Sequence, residues 1–174
     1  MDSEHRLRVL LVDNHAAMRI GLSTFLAVFP DLMLVGEATN GEEAVRLCAQ
    51  LRPDVVLMDL VMPVMDGVTA TRIIRQEHPD TQIIAVTSFG EVELVQGVLQ
   101  AGAMGYLLKD ISADKLAEAI REAVKGRPIL SPEATKLLIE ASNRTGNTQY
   151  RYQLSDREKE VLRLLVEGHS NAQI

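Results

Sequence analysis

The chain has 174 residues, of which 47% are apolar and only 3% aromatic; this allows a packed core built on aliphatic side chains and argues against global disorder. Its net charge of −6 is uneven: residues 1–130 hold 12 Lys and Arg against 18 Asp and Glu, and residues 131–174 hold 6 of each. Neither part therefore carries the basic excess of a nucleic-acid surface. A single cysteine, Cys48, rules out an internal disulfide or a multi-cysteine metal site. No apolar run approaches the roughly 18 residues of a membrane span, and the polar start lacks a secretory signal, so the expected location is the cytoplasm.

Apolar runs alternate with amphipathic stretches along the chain. "RVLLVD" (8–13) predicts a buried strand, and residues 16–29 a helix with Met18, Leu22, Phe25, Leu26 and Phe29 on one face. "LMLVGEAT" (32–39) is a second strand, and Asn40 with Glu43 forms a capping-box start for the next helix. "DVVLMD" (54–59) is a third strand, followed by a helix over about 67–78. "QIIAVT" (82–87), a helix over 91–101, "GYLL" (105–108) and a helix from Ser112 to about Lys125 complete the series.

Pro30-Asp31, Pro53-Asp54 and Pro79-Asp80 announce three of the strands at spacings of 23 and 26 residues, about one strand-helix unit. Each proline ends a helix and biases the residue before it toward extended geometry. Strands this continuously apolar are covered on both faces, as in parallel sheets. The expectation is a doubly wound α/β domain on a five-stranded parallel sheet, with all strand C-termini along one edge.

Past residue 128 the character changes. Ser131 and Pro132 start a helix to about Ala141. "SNRTGNTQYRYQ" (142–153) reads as a polar linker, and Ser155 with Glu158 opens a further helix that Gly168 closes.

The chemistry gathers at the strand ends. Asp13 and Asn14 end the first strand, Asp59 the third and Thr87 the fourth, while Lys109 follows the fifth. Two carboxylates, an amide, a hydroxyl and an ammonium on one sheet edge suit Mg²⁺ and a phosphoryl group. A carboxylate can attack phosphorus to give an acyl phosphate. A metal and a lysine offset the charge on the phosphoryl oxygens.

"LLVDNH", "VVLMDLVMPVMDG", "IIAVTS" and "AGAMGYLLKD" resemble, in order and spacing, the receiver motifs of bacterial two-component response regulators, and span residues 10–110. The "AGAxGYLLKD" form, with "LSDREKEVLRLLVEGHSNAQI" behind it, is similar to the NarL/FixJ type, which ends in a LuxR-type helix-turn-helix. The resemblance implies a flavodoxin-like receiver at 1–128, a linker with one helix at 129–153, and at 154–174 the truncated opening of an all-α DNA-binding domain. That opening lacks the second, recognition helix, so DNA is expected as a partner only of the full-length effector domain. The resemblance also implies that Asp59 is the phosphoacceptor, served by a sensor histidine kinase. Asp13, Asp59 and the backbone carbonyl of Val61 would hold Mg²⁺. Thr87 would bond a phosphoryl oxygen, Lys109 would pair with it, and Tyr106 would act with Thr87 as the switch. Regulated homodimerisation, expected on the face of the fourth helix, fifth strand and fifth helix, would pair two effector domains.

Asn14 departs from the pattern, because the family usually has an acid there that ligates Mg²⁺. The amide still offers an oxygen, so metal binding is expected to be weakened. The change raises an alternative: a phosphorylation-independent interaction module. A third reading, an aspartyl-nucleophile hydrolase, wants a second acid two residues after the nucleophile, where Val61 follows Asp59 and His15 follows Asp13. Cys48 reads as a small buried residue, and Met58, Met62 and Met65 as packing. His15 lies close to the site, but lone histidines beside strands seldom bind metal.

Overall fold

The computed structural model describes residues 6–88 and 90–144. Strands and helices alternate as β1 Leu7–Val12, α1 Ala16–Ala27, β2 Leu32–Ala38, α2 Gly41–Leu51, β3 Val55–Met58, α3 Gly67–Glu77, β4 Gln82–Thr87, α4 Val92–Gln100, β5 Gly105–Leu108, α5 Ala113–Val124, β6 Ile129–Leu130 and α6 Pro132–Arg144. The strands pair in parallel in the order β2-β1-β3-β4-β5-β6.

Alternation along each strand feeds two cores. Leu10, Val12, Val56, Met58, Ile83, Ala85 and Tyr106 face one layer, which holds α2, α3, α4 and α6. Val9, Leu11, Val55, Leu57, Ile84, Val86 and Leu107 face the other, against α1 and α5. Both faces of the central strands are thus buried, the physical reason their sequences are unbroken apolar runs.

The helix starts follow local chemistry. Asn40 accepts from Glu43 N at 3.0 Å, while the Glu43 carboxylate reaches back to Thr39 N at 2.8 Å, one residue beyond the usual capping-box partner. Asp66 caps α3 through Thr69 N at 2.8 Å. The Pro-Asp pairs pin the opposite edge of the sheet: Asp54 Oδ2 accepts from Arg8 N at 2.7 Å, and Asp31 takes a two-pronged grip from Arg121 of α5 at 2.7 and 2.9 Å.

The sheet has six strands, not the expected five. Ile129–Leu130 pairs with Gly105 and Tyr106 of β5, and two residues are too few to show a period. Gly105 makes the pairing possible, since a Cβ there would lie 2.9 Å from Ile129 O. Ser131 N then donates to Tyr106 O at 2.8 Å, and Ser131 Oγ accepts from Ala134 N at 3.1 Å to start α6. That helix runs to Arg144, so residues 142–144, read as linker, form its last turn. Ala134 and Leu138 bury α6 against the α4 layer. The linker from 145 and the helix expected after Ser155 lie outside the described residues.

Strand order reverses about β1: the chain goes to β2 on one side and to β3 on the other. At such a switch point the connecting loops diverge and leave a crevice beyond the strand ends. Asp13 and Asp59 stand there.

Candidate functional site

Val12 and Met58 are register partners, so the next residues of the two chains, Asp13 and Asp59, emerge side by side. Backbone bonds hold both: Asp13 N donates to Ala38 O at 3.1 Å and Asp59 N to Val12 O at 2.9 Å. Lys109 enters from beyond β5, its own N–H fixed to Thr87 O at 3.0 Å. Its Nζ lies 2.6 Å from Asp13 Oδ2 and 3.1 Å from Asp59 Oδ2. The Asp59 contact is a hydrogen bond. The shorter Asp13 contact is ionic, and Oδ2 of Asp13 has no hydrogen-bond partner of good geometry among the described residues.

The second oxygen of each carboxylate is held by the chain. Asp59 Oδ1 accepts from Leu60 N at 2.8 Å. Asp13 Oδ1 accepts from His15 N at 2.8 Å and lies 3.1 Å from His15 Nδ1. Asp13 and Asp59 are 1% and 3% exposed, so these charges interact in a poorly solvated crevice. Burial raises the Asp59 pKa; the Lys109 hydrogen bond and charge oppose that rise, and the Asp13 charge adds to it.

Two carboxylates and one ammonium leave an excess negative charge. Asn14 adds a buried side-chain oxygen with no hydrogen-bond partner among the described residues. Asp13, His15 and Asp59 each offer a ligand atom, all within 4.8 Å of one another. Closely set oxygen donors with unbalanced negative charge fit a hard dication such as Mg²⁺.

The remaining expected residues lie around this centre. Thr87 is fully buried at the end of β4. Val61 stands in the loop after Asp59 with its side chain exposed. Tyr106 is fully buried in the layer shared with α4 and α6, where burial, aided by the Glu91 charge, pushes its phenol up to about 12. Its ring already lies inward in this state. Cys48 is buried, and burial pushes its thiol up to about 12, as fits a packing residue.

Two features of the site escape a reading of residue types. Gly67 is required by contact: a Cβ there would run into the carbonyl oxygen of Asp59. The loop between Asp59 and Gly67 also holds Val64 at φ 68, a left-handed conformation that a β-branched residue rarely adopts. Asp66-Gly67 is a turn-forming pair, but it does not show the close approach of Gly67 to Asp59, and nothing in the sequence marks the conformation of Val64.

Residues 9–121 match the response regulator receiver domain family. The chain belongs to that family. Among its relatives is the transcriptional regulatory protein LiaR of Bacillus subtilis, 46% identical over 97% of this chain and 80% of that one. A LuxR-family two-component response regulator from Aurantimonas superposes with a TM-score of 0.74 at 33% identity, covering 79% of this chain and 99% of that one. RcsB, in a structure of two dimers bound to two parallel DNAs, gives 0.71 at 26% identity over 94% of this chain and 78% of that one. The receiver is therefore that of a two-component response regulator similar to transcriptional regulators. These matches support neither the phosphorylation-independent module nor the hydrolase.

Proposed function

We propose that Asp59 is the phosphoacceptor of this regulator and that its charge state sets the output of a DNA-binding domain. The observation that carries this is the Lys109 ammonium joined to both Asp13 and Asp59 at the switch point of the sheet. A carboxylate oxygen of Asp59 attacks phosphorus of a phosphohistidine or a small acyl phosphate; the P–N or P–O bond to the donor breaks, and an acyl phosphate remains. Asp13, Asp59 and the Val61 carbonyl, with the neutral oxygen of Asn14, are the groups that would hold Mg²⁺, which supplies positive charge to the phosphoryl oxygens. Lys109 pairs with a phosphoryl oxygen once Asp59 is modified, and the Thr87 hydroxyl donates to another. Because Lys109 N is bonded to Thr87 O, the two respond together, and Tyr106, whose ring is already inward, is the switch partner of Thr87.

In this reading residues 1–128 are the receiver, 129–153 the linker and 154–174 the opening of a LuxR-type domain. The partners are a sensor histidine kinase in the cytoplasm, a second copy of the chain, and DNA through the complete effector domain. RcsB, seen as DNA-bound dimers, supports that last partnership. Intact-mass spectrometry after incubation with acetyl phosphate and Mg²⁺ tests the acceptor: one phosphoryl adduct mapping to Asp59 is expected, absent from Asp59→Asn. An adduct on another residue overturns the assignment.

A further inference from the structure

His15 is not absorbed by the phosphoacceptor reading. Its backbone N–H is tied to Asp13 Oδ1 at 2.8 Å, which folds the chain back within two residues. The turn brings ring Nδ1 to 3.1 Å from the same oxygen. The ring is 63% exposed, and as the N-cap residue of α1 it makes no side-chain capping bond. The bland account is a surface histidine hydrogen-bonded to its neighbour, and the distance suits that. It equally suits two donors on one ion, because adjacent ligands of an octahedral centre with bonds of about 2.1 Å stand about 3 Å apart.

Three further observations favour the ion. The His15 nitrogen, an Asp13 oxygen and an Asp59 oxygen all fall within 4.8 Å. Charge is unbalanced, with one Lys109 between two carboxylates. The neighbouring oxygen of Asn14 is buried and unpartnered among the described residues, where a hydrogen bond or a cation is normally found. Asn14 contributes a neutral donor, so the dication loses the electrostatic pull that a third acid would give. An imidazole nitrogen is also neutral, but it forms strong bonds with first-row transition ions and suits Mg²⁺ poorly.

We propose that His15 is a metal ligand in this protein, converting the oxygen site of Asp13 and Asp59 into a mixed nitrogen–oxygen site that prefers a first-row transition-metal dication to Mg²⁺. The proposal rests on the metal site of the reading above and deepens it. The ring's exposure leaves the outer side of the ion open to water or to a phosphoryl oxygen.

The test compares Zn²⁺ and Mg²⁺ affinities of the full chain by competition titration, in wild type, His15→Ala and His15→Gln. Both variants should fold, because the side chain is exposed and makes no cap. The Zn²⁺-to-Mg²⁺ affinity ratio is expected to fall about tenfold or more in both, at the level seen when metal-site partners are lost, with Mg²⁺ affinity nearly unchanged. In ¹⁵N-labelled wild type the Nδ1 resonance of His15 should shift when Zn²⁺ saturates the protein. A ratio that falls less than threefold, or a His15 ring unmoved by saturating Zn²⁺, overturns the proposal. So does a normal ratio in His15→Gln, since glutamine can hold Asp13 without offering an imidazole. The two readings fail separately. An Asp59 adduct with an unchanged ratio sinks only the ligand, and a lowered ratio without an adduct sinks only the phosphoacceptor.

Discussion

The surroundings of Asp59 disfavour its charged form. Burial, with the Asp13 charge, raises its pKa against the opposing pull of Lys109 and Leu60 N, and the sign of the stability effect follows. A carboxyl whose pKa is higher folded than unfolded favours the folded state in acid and loses that advantage as pH rises from the unfolded value, near 4, through the folded one. At neutral pH the charge is therefore a cost. Asp59→Asn is expected to stabilise the fold by about 1 kcal/mol at pH 7.5, within the range common when a functional strain is relieved. Thermal melts across pH check this: the gap between variant and wild type should be closed below about pH 4 and widen as pH rises from there. A variant less stable than wild type at pH 7.5 would show that the Lys109–Asp59 contact is net stabilising. Asp13, Asp59, Thr87 and Lys109 were legible in the sequence because each ends or follows an apolar strand, and a parallel sheet gathers those ends. The His15 contact and the fit of Gly67 were not, because both depend on how a loop folds back over the strand ends.

At the scale of elements, β6 and α6 differ most from the sequence reading. The start of α6 at Ser131 and Pro132 was visible, but a start signal shows only that a helix begins, not what it covers. Here it covers α4, with Ala134 and Leu138 at 1% and 4% exposure and Leu137 3.8 Å from the Cβ position of Gly90. The first residues of α6 are bonded to the strand that carries Tyr106: Ser131 N holds Tyr106 O at 2.8 Å and Ser131 Oγ caps the helix. Any shift of the Tyr106 backbone is thus passed to Ser131, at the start of α6. Leu138→Ala removes the most buried leucine of α6 and is expected to cost about 2–3 kcal/mol. Denaturant unfolding measures the loss. Hydrogen exchange locates it, with amides of 132–144 losing protection before those of β3 and β4. Uniform loss over the whole sheet would mean that α6 is an integral part of the core, not a separable cover.

For the whole molecule, the position of α6 changes what self-association requires. The face of α4, β5 and α5, where the sequence led us to expect a second copy, is partly occupied: α6 lies on α4 and β6 extends the sheet beyond β5. Large apolar side chains also stand exposed elsewhere: Ile20 of α1 and its C-cap Val28 at 67%, Val124 of α5 at 39%, Ile139 of α6 at 48%, and Val61 and Val64 in the loop after Asp59. A phosphoryl group on Asp59 adds roughly −1.5 to −2 charge, which draws Lys109 and Thr87 and biases two states of the same fold. About 5.5 kcal/mol of differential binding moves such an equilibrium from 1:99 to 99:1, within reach of a few charge-assisted bonds at about 1.5–3 kcal/mol each. Adding beryllofluoride, a phosphoryl mimic, is expected to double the mass seen by analytical ultracentrifugation. Hydrogen exchange then separates the two faces. If the partner docks on α4, α6 must lift, and amides of 132–144 lose protection as those of 92–100 gain it. If it docks on α1 and α5, α6 stays protected and the gain falls on 16–27 and 113–124. Bound mimic with no change in mass or in the exchange of residues 87–125 would show that modification of Asp59 does not reach the surface of this protein.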